Sequence, residues 1–275
     1  MASPPSIRHA PWADAPPDFA IGLRPIPIEA WLEGGEADPA ARKDPLYAAH
    51  RDLVWAATDD SRPGQAEILD LIEAAGVAAE SRPDLPPLYA AARAVPDDLC
   101  LMEKTDGACR LTALSLSAGT FFTAAEVIGK PLAGLHAPVP GFGERFLGRV
   151  TRIFDALPAD QVLERRNWTV MAGEELFAPD GAAIRARVPD IAPEDAGAAL
   201  SVRVERQTLR RLPASGGLVF TIRIWRHPLA ALAAEPERLA AFARAWRGAA
   251  ADFRAYKRLA TYDGHVEAFL RARGE

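Results

Sequence analysis

Apolar and polar positions alternate along this chain with two different periods. In residues 64–79, Ile68, Leu69, Leu71, Ile72 and Ala75 recur at helical spacing, which predicts an amphipathic helix. Residues 44–57 read as a second helix, with Leu46, Leu53 and Val54 on one side. Ahead of it, residues 1–27 form a Pro-rich arm with Trp12, Phe19, Ile21 and Leu23 as anchors, and 28–32 start a short helix. The Pro-rich stretch 81–87 breaks the pattern. From about residue 98 the period changes to two. Residues 99–103 and 109–117 read as strands around a turn at 105–107, and 162–171, 202–213 and 218–225 supply three more. Between them lie a short helix at 124–128 capped by Thr123, a Pro/Gly loop at 132–142, a helix at 144–156 and a loop-rich insertion at 178–199. Residues 229–273 read as two helices. The expected architecture is α+β: a five-stranded antiparallel sheet flanked by helices at both termini. We divide it at 1–97, 98–228 and 229–275, as parts of one integrated unit.

The fourth strand breaks the usual rule for a half-buried strand. Val202, Val204, Arg206, Thr208, Arg210 and Leu212 share one side, and Arg203, Glu205, Gln207, Leu209 and Arg211 share the other. At least one ionised group must therefore meet the interior, where charge is costly unless paired or met by a ligand. Two readings follow: an exposed edge strand with paired charges, or a polar wall inside a pocket. After the turn at 214–217, Leu218, Phe220, Ile222 and Ile224 form a clean apolar face. On the opposite face Arg223 stands among Val219, Thr221 and Trp225, where a guanidinium calls for an anion.

Composition narrows the function classes. The 275 residues are 49% hydrophobic and 25% charged, with a net charge of -5 and dispersed basic residues, which argues against a nucleic-acid binder. No apolar run suits a bilayer span or a signal-peptide core, so a cytoplasmic protein is expected. Cys100 and Cys109 are the two cysteines, too few for a four-thiolate cluster or a Cys-rich zinc site. There is no P-loop and no nucleophile elbow. Gly141-Phe-Gly143 follows a Pro-rich loop rather than a strand, so it is a poor dinucleotide signature.

Of the five histidines, His136 differs. It lies in Leu-His-Ala-Pro-Val-Pro-Gly at 135–141, where Pro138 and Pro140 each fix a φ angle. Such a loop suits an axial metal ligand; a structural histidine satisfied by neighbours is the ordinary alternative. Asn167 beside Trp168 reads as a buried strand amide hydrogen-bonding a nearby loop.

These segments together resemble a known family. The 135–141 loop, Asn167-Trp168, the Arg-Val-Glu-Arg-Gln-Thr-Leu-Arg-Arg-Leu-Pro block at 203–213 and Phe-Thr-Ile-Arg at 220–223 are similar, in that order, to the haem-binding subunit of the haem-dependent oxidative N-demethylases. Gly-Leu-Arg-Pro at 22–25, Trp31 and Tyr256-Lys257 extend the likeness over nearly the whole chain. The resemblance implies a PAS-like sheet carrying b-type haem, with iron held by His136. It implies a monooxygenase-type reaction: oxygen-dependent removal of a methyl group from a small dimethylamine-like amine, with release of formaldehyde. Electrons would come from NADPH through separate FMN and iron–sulfur reductase subunits. On this reading Glu205 contacts the ammonium group or relays protons, Thr208 meets oxygen, and Arg203, Arg206 and Arg223 hold haem propionates or orient Glu205. Asn167 joins the cofactor site. The segment 119–126 departs from the family pattern, with Phe121 or Phe122 where a Trp is usual. Two rival readings stand beside this one: a PAS-like haem sensor or ligand-binding module without turnover, and a haem-free scaffold.

Overall fold

The computed structural model describes residues 6–14, 17–80 and 82–275. Seven strands form one antiparallel sheet: β1 Arg24–Ile26, β2 Trp55–Ala57, β3 Asp98–Thr105, β4 Ala108–Ser115, β5 Val162–Ala172, β6 Leu200–Arg211 and β7 Leu218–Pro228. Their order is β1-β5-β6-β7-β3-β4-β2. The five long strands are those expected. The two additions are three-residue edge strands, too short to leave an alternation signal, and Pro25 in β1 is tolerated because an edge strand needs fewer ladder donors. Strand β6 lies between β5 and β7, so the edge-strand reading of its charges fails.

Other boundaries also moved. The helix expected at 44–57 is Pro39–Ala49 followed by Arg51–Val54, and the chain then extends into β2. The prolines at 86 and 87, read as a breaker, instead start a helix at Pro87–Ala94, since the first helical position needs no amide donor. Part of the 81–87 breaker, Ser81, lies outside the described residues, as do 1–5 and 15–16 of the N-terminal arm. The insertion at 178–199 contains short helices at Gly181–Ala186 and Ala196–Ala199, each stabilised by packing rather than by length. The C-terminus has three helices, Pro236–Gly248, Ala251–Tyr256 and Asp263–Arg271.

Apolar clusters cover both sheet faces. On one, helices Arg62–Ala74 and Pro87–Ala94 pack Ile68, Ile72 and Leu88 against Leu99, Leu101, Val162 and Val219. The helix approaches the sheet closely at Gly64, where a Cβ would sit 2.7 Å from the Glu103 carboxylate and 2.9 Å from Leu101, so a larger residue would push these side chains aside. Further along that face, Trp12 meets Trp168 and Phe242 edge to face, with centroids 5.9 and 5.8 Å away. The other face carries Cys100, Leu114, Leu163, Leu209 and Leu218, covered by Phe122, Leu135, Ile153 and Phe154 from the 120–157 segment. This segment brings the His136 loop to the sheet.

Candidate functional site

The register of β6 divides its charges between the two faces. Arg206 pairs with Arg223 across β7, Thr208 with Thr221, and Glu164 on β5 stands opposite Thr208. These residues build a closed ion network beneath the N-terminal segment. Arg206, 1% exposed, donates to the Glu164 carboxylate at 2.5 Å and to the carbonyls of Trp31 and Ala30 at 2.9 and 2.5 Å. Glu164 also holds Arg24 and Arg166. Thr208 and Thr221 share a hydrogen bond of 2.7 Å. Arg223 finds its anion in Glu36 at 3.5 Å and lies over the Trp225 ring. Glu33 accepts from the Trp225 indole and is bonded to His9. Burial opposes ionisation there, but His9 and Arg206 hold the carboxyl down at about 2.

The candidate residues on β6 and β7 therefore divide between the two faces of the sheet, Arg206, Thr208 and Arg223 on one and Arg203 and Glu205 on the other. A strand's period of two places Arg206, Thr208 and Arg223 behind the sheet, where Arg206 and Thr208 meet protein partners and Arg223 reaches Glu36 while its Nε stays without one.

The other face carries what remains. Arg203 and Glu205 stand beside Thr169 and Asn167 of β5, and Arg165 stands opposite Gln207. Arg203 is 1% exposed, tied to the Ala118 carbonyl at 2.5 Å, with its Nε 3.7 Å from Glu205. Glu205 is half-buried, with its side chain 24% exposed, and accepts from Gln207 at 3.0 Å. Asn167 turns its side-chain carbonyl to the Trp168 amide at 2.9 Å, a local bond rather than a loop clamp. Tyr256 and Lys257 reach the same charge cluster from the C-terminal chain: Glu205 and Arg165 both act on each of them. Burial pushes the Lys257 ammonium down to about 8, although its side chain is only half-buried.

His136 lies beside this cluster. Its loop is stiffened by Pro138 and Pro140 and turns at Gly141, whose φ of +67° favours glycine. Nδ1 bonds the Leu132 carbonyl at 3.0 Å, and the ring stacks on Phe142 with centroids 4.2 Å apart. Because a carbonyl only accepts, Nδ1 carries the proton and Nε2 presents its lone pair. Burial, then the nearby Arg165 charge, push the imidazole below its ordinary pKa and keep it neutral, as a ligand must be. Two open cavities flank the loop. One of ≈ 450 Å³ is lined by His136, Val139 and Phe142, and one of ≈ 470 Å³ by Pro138, Pro140 and Tyr256.

Of the two phenylalanines in the 119–126 segment, Phe122 joins the apolar cluster on this side. Phe121 is 48% exposed, packed beside Gly181 and under Arg185. Sequence reading missed Arg165. Its signal was present, since Arg165-Arg166 within a strand must send one guanidinium to each face.

Among the described residues no group of three or more His, Cys, Asp or Glu side chains could hold a metal ion. A metal bound at His136 must therefore bring most of its own donor set. A planar macrocycle with four ring nitrogens fits that requirement, and the orphaned Arg165 Nε fits the carboxylates such a group can carry.

Residues 70–267 match a family model described as haem-dependent oxidative N-demethylase, alpha subunit-like. No curated protein matches the chain. No helix among the described residues is long and apolar enough to cross a membrane.

Proposed function

Because the chain belongs to the family of haem-dependent oxidative N-demethylase alpha-subunit-like proteins, we propose that it is the haem-binding, amine-oxidising subunit of a multi-subunit N-demethylase. The substrate is a small methylated amine of the dimethylamine kind, and the products are formaldehyde and the shorter amine. The observation that carries this reading is the tautomer of His136: Nδ1 is fixed by Leu132, so the Nε2 lone pair would be the one to hold a haem iron. The five long strands follow the spatial order third, fourth, fifth, first, second, which supports a PAS-like core with two added edge strands.

When bound, b-type haem supplies the oxygen-dependent oxidation, and the protein supplies ligand, pocket and orientation. Glu205 is the partly exposed carboxylate on its part of the sheet face, whereas Asp98 is buried and held by Ser117 and Ala118. Glu205 receives the ammonium N–H groups of the substrate and so aims an N-methyl group into the site. Arg203 is a positioning residue. Its own tether to Ala118 fixes where Glu205 can stand. Tyr256, with Pro138 and Pro140, narrows the opening and limits amine size. Thr208, Arg206 and Arg223 take no part, since each is consumed in the network behind the sheet. Electrons from NADPH arrive through separate flavin and iron–sulfur subunits.

The test is spectroscopic, then chemical. Protein loaded with haem should show a Soret band and a ferrous spectrum shifted by carbon monoxide. His136→Ala should lose the haem or regain it with added imidazole. Formaldehyde release from dimethylamine, oxygen and a chemical reductant should then follow. A normal spectrum without turnover under any reductant would favour the sensor reading, and no haem spectrum at all would end both.

A further inference from the structure

We propose that Arg145, Arg149 and Arg152, on the helical segment beside the His136 loop, form the docking surface for an acidic electron-donor protein. The inference rests on the haem-binding reading above and adds where on this chain an electron-supplying partner meets it.

The argument begins with charge that the fold leaves unspent. A π-helical turn at Gly143–Leu147 runs on into the α-helix Gly148–Ala156. Phe146, Val150, Ile153 and Phe154 pack inward from this segment. Arg145, Arg149 and Arg152 follow at intervals of four and three, so they share one flank, and all three are exposed. Among the described residues none of them forms an ion pair or donates a side-chain hydrogen bond. The acidic residues of the segment are placed elsewhere: Asp155 is held by Lys104 at 3.1 Å, and Glu144 borders the cavity beside His136. Like charges at these spacings repel on a helix, so the stripe does nothing for folding. It is carried by a chain whose net charge is -5. A positive stripe on an otherwise acidic protein steers an acidic partner to one place.

The position of the stripe gives the partner's kind. Val150 packs in one cluster with Leu132 and Phe142 of the His136 loop. Ring contacts run inward from the surface. Arg145 lies over the Phe146 ring at 4.9 Å, Phe146 stands 6.3 Å from Phe142, and Phe142 stacks on His136 at 4.2 Å. An exposed guanidinium is thus three contacts from the imidazole that would hold the iron. A protein docked on this flank meets a continuous line of packed rings leading to that imidazole. The π-helical turn lies at the same point, and such turns recur at functional sites. A soluble one-electron carrier with an acidic face fits both the charge and the route, and such encounters are small and transient.

The experiment is a titration of the haem-free full chain against an isotope-labelled plant-type ferredoxin, an acidic one-electron carrier, followed by NMR. It is run at about 0.1 M ionic strength, where charges act over only about 10 Å. The wild type should bind, and binding should weaken as salt is raised. Arg145→Glu, Arg149→Glu and Arg152→Glu together should weaken it about tenfold or more, and the three matching Gln substitutions by less. Reversing Arg62, Arg244 and Arg271 makes the same change in net charge on three other helices and should leave affinity nearly unaltered. All six arginines are exposed, so melting temperatures should match the wild type. With haem-loaded protein, photoreduced ferredoxin gives up one electron per ferric iron reduced, and the rate should fall in the first triple variant only. No ferredoxin binding, undiminished affinity in that variant, or an equal loss in the control would overturn the inference. Equal affinity for a short DNA duplex would mark a general anion surface and overturn it too. Docking as described in a chain that takes up no porphyrin would instead end the haem reading alone.

Discussion

Replacing Arg206 by Leu should destabilise the protein without touching its cofactor. The guanidinium is 1% exposed and makes contacts in three directions: the Glu164 carboxylate, and the carbonyls of Trp31 and Ala30. Removing one partner of a buried ion pair costs about 3–5 kcal/mol, and each carbonyl left without a donor adds about 1 kcal/mol or more. Glu164 retains Arg24 at 3.0 Å and Arg166 at 2.9 Å, which limits the damage to its own charge. The expected loss is then about 4 kcal/mol, or roughly 10 °C in melting temperature for a chain of this size. Arg206→Lys keeps the charge but loses the fork, and should fall between wild type and Leu. The assay is a thermal or urea melt of the cofactor-free protein, paired with porphyrin titration of the folded variant at low temperature. A melting shift under about 2 °C would show that the network contributes little beyond packing. Lost porphyrin affinity in a folded variant would return Arg206 to the cofactor site and refute the division of the sheet into two faces.

Three further outcomes are expected. Glu205 is half-buried and loosely paired, so Glu205→Gln should cost about 1 kcal/mol of stability while lowering N-demethylation at least tenfold; unchanged turnover would remove it from the substrate site. Asp97 is buried with both carboxylate oxygens lacking hydrogen-bond partners, and burial raises it from 3.8 to about 6 against the pull of Lys43, Arg223 and Arg206. A raised native value means that its contribution is full below the ordinary value and is lost as pH rises through about 6, so Asp97→Asn should flatten the stability profile between those limits; an unaltered slope would assign the titration elsewhere. Finally, haem-loaded protein alone should not oxidise NADPH, because its two cysteines are isolated free thiols and it lacks a nucleotide loop; NADPH consumption coupled to formaldehyde by the isolated chain would contradict this.

The sequence showed the charges on β6 but not where they belong. Alternation defines which residues share a side, and Arg206 with Thr208 were grouped correctly. It cannot say which side meets a ligand, because Glu164, Glu33 and Glu36 lie 42 to 187 residues away from the arginines they satisfy. The bracing of the His136 loop was legible for a local reason: two prolines and a positive-φ glycine lie within six residues, and its Nδ1 partner is only four residues back. Lys257 was visible as part of a motif but carried no role, since the burial that lowers its pKa is a property of the folded chain and not of its neighbours in sequence. Strands β1 and β2 were missed because three residues cannot display a period.

The two faces of β6 give its register an electrostatic meaning. Sliding the strand by one residue against β5 would exchange every side chain between faces. Glu205 would enter the sealed network beside Glu164, which already shares Arg24 and Arg166, and Arg206 would leave it for the face that carries Arg165. In an ordinary strand such an error exposes a few methyl groups; here it would bury like charges against each other on both sides at once. The hairpin from Arg211 to Leu218, clasped by the Arg211 guanidinium on the Leu157 and Gly216 carbonyls, holds that alignment in the folded sheet. The placement of charge thus acts as a parity check on folding: only the pairing that neutralises the rear of the sheet also leaves its front charged to receive a ligand.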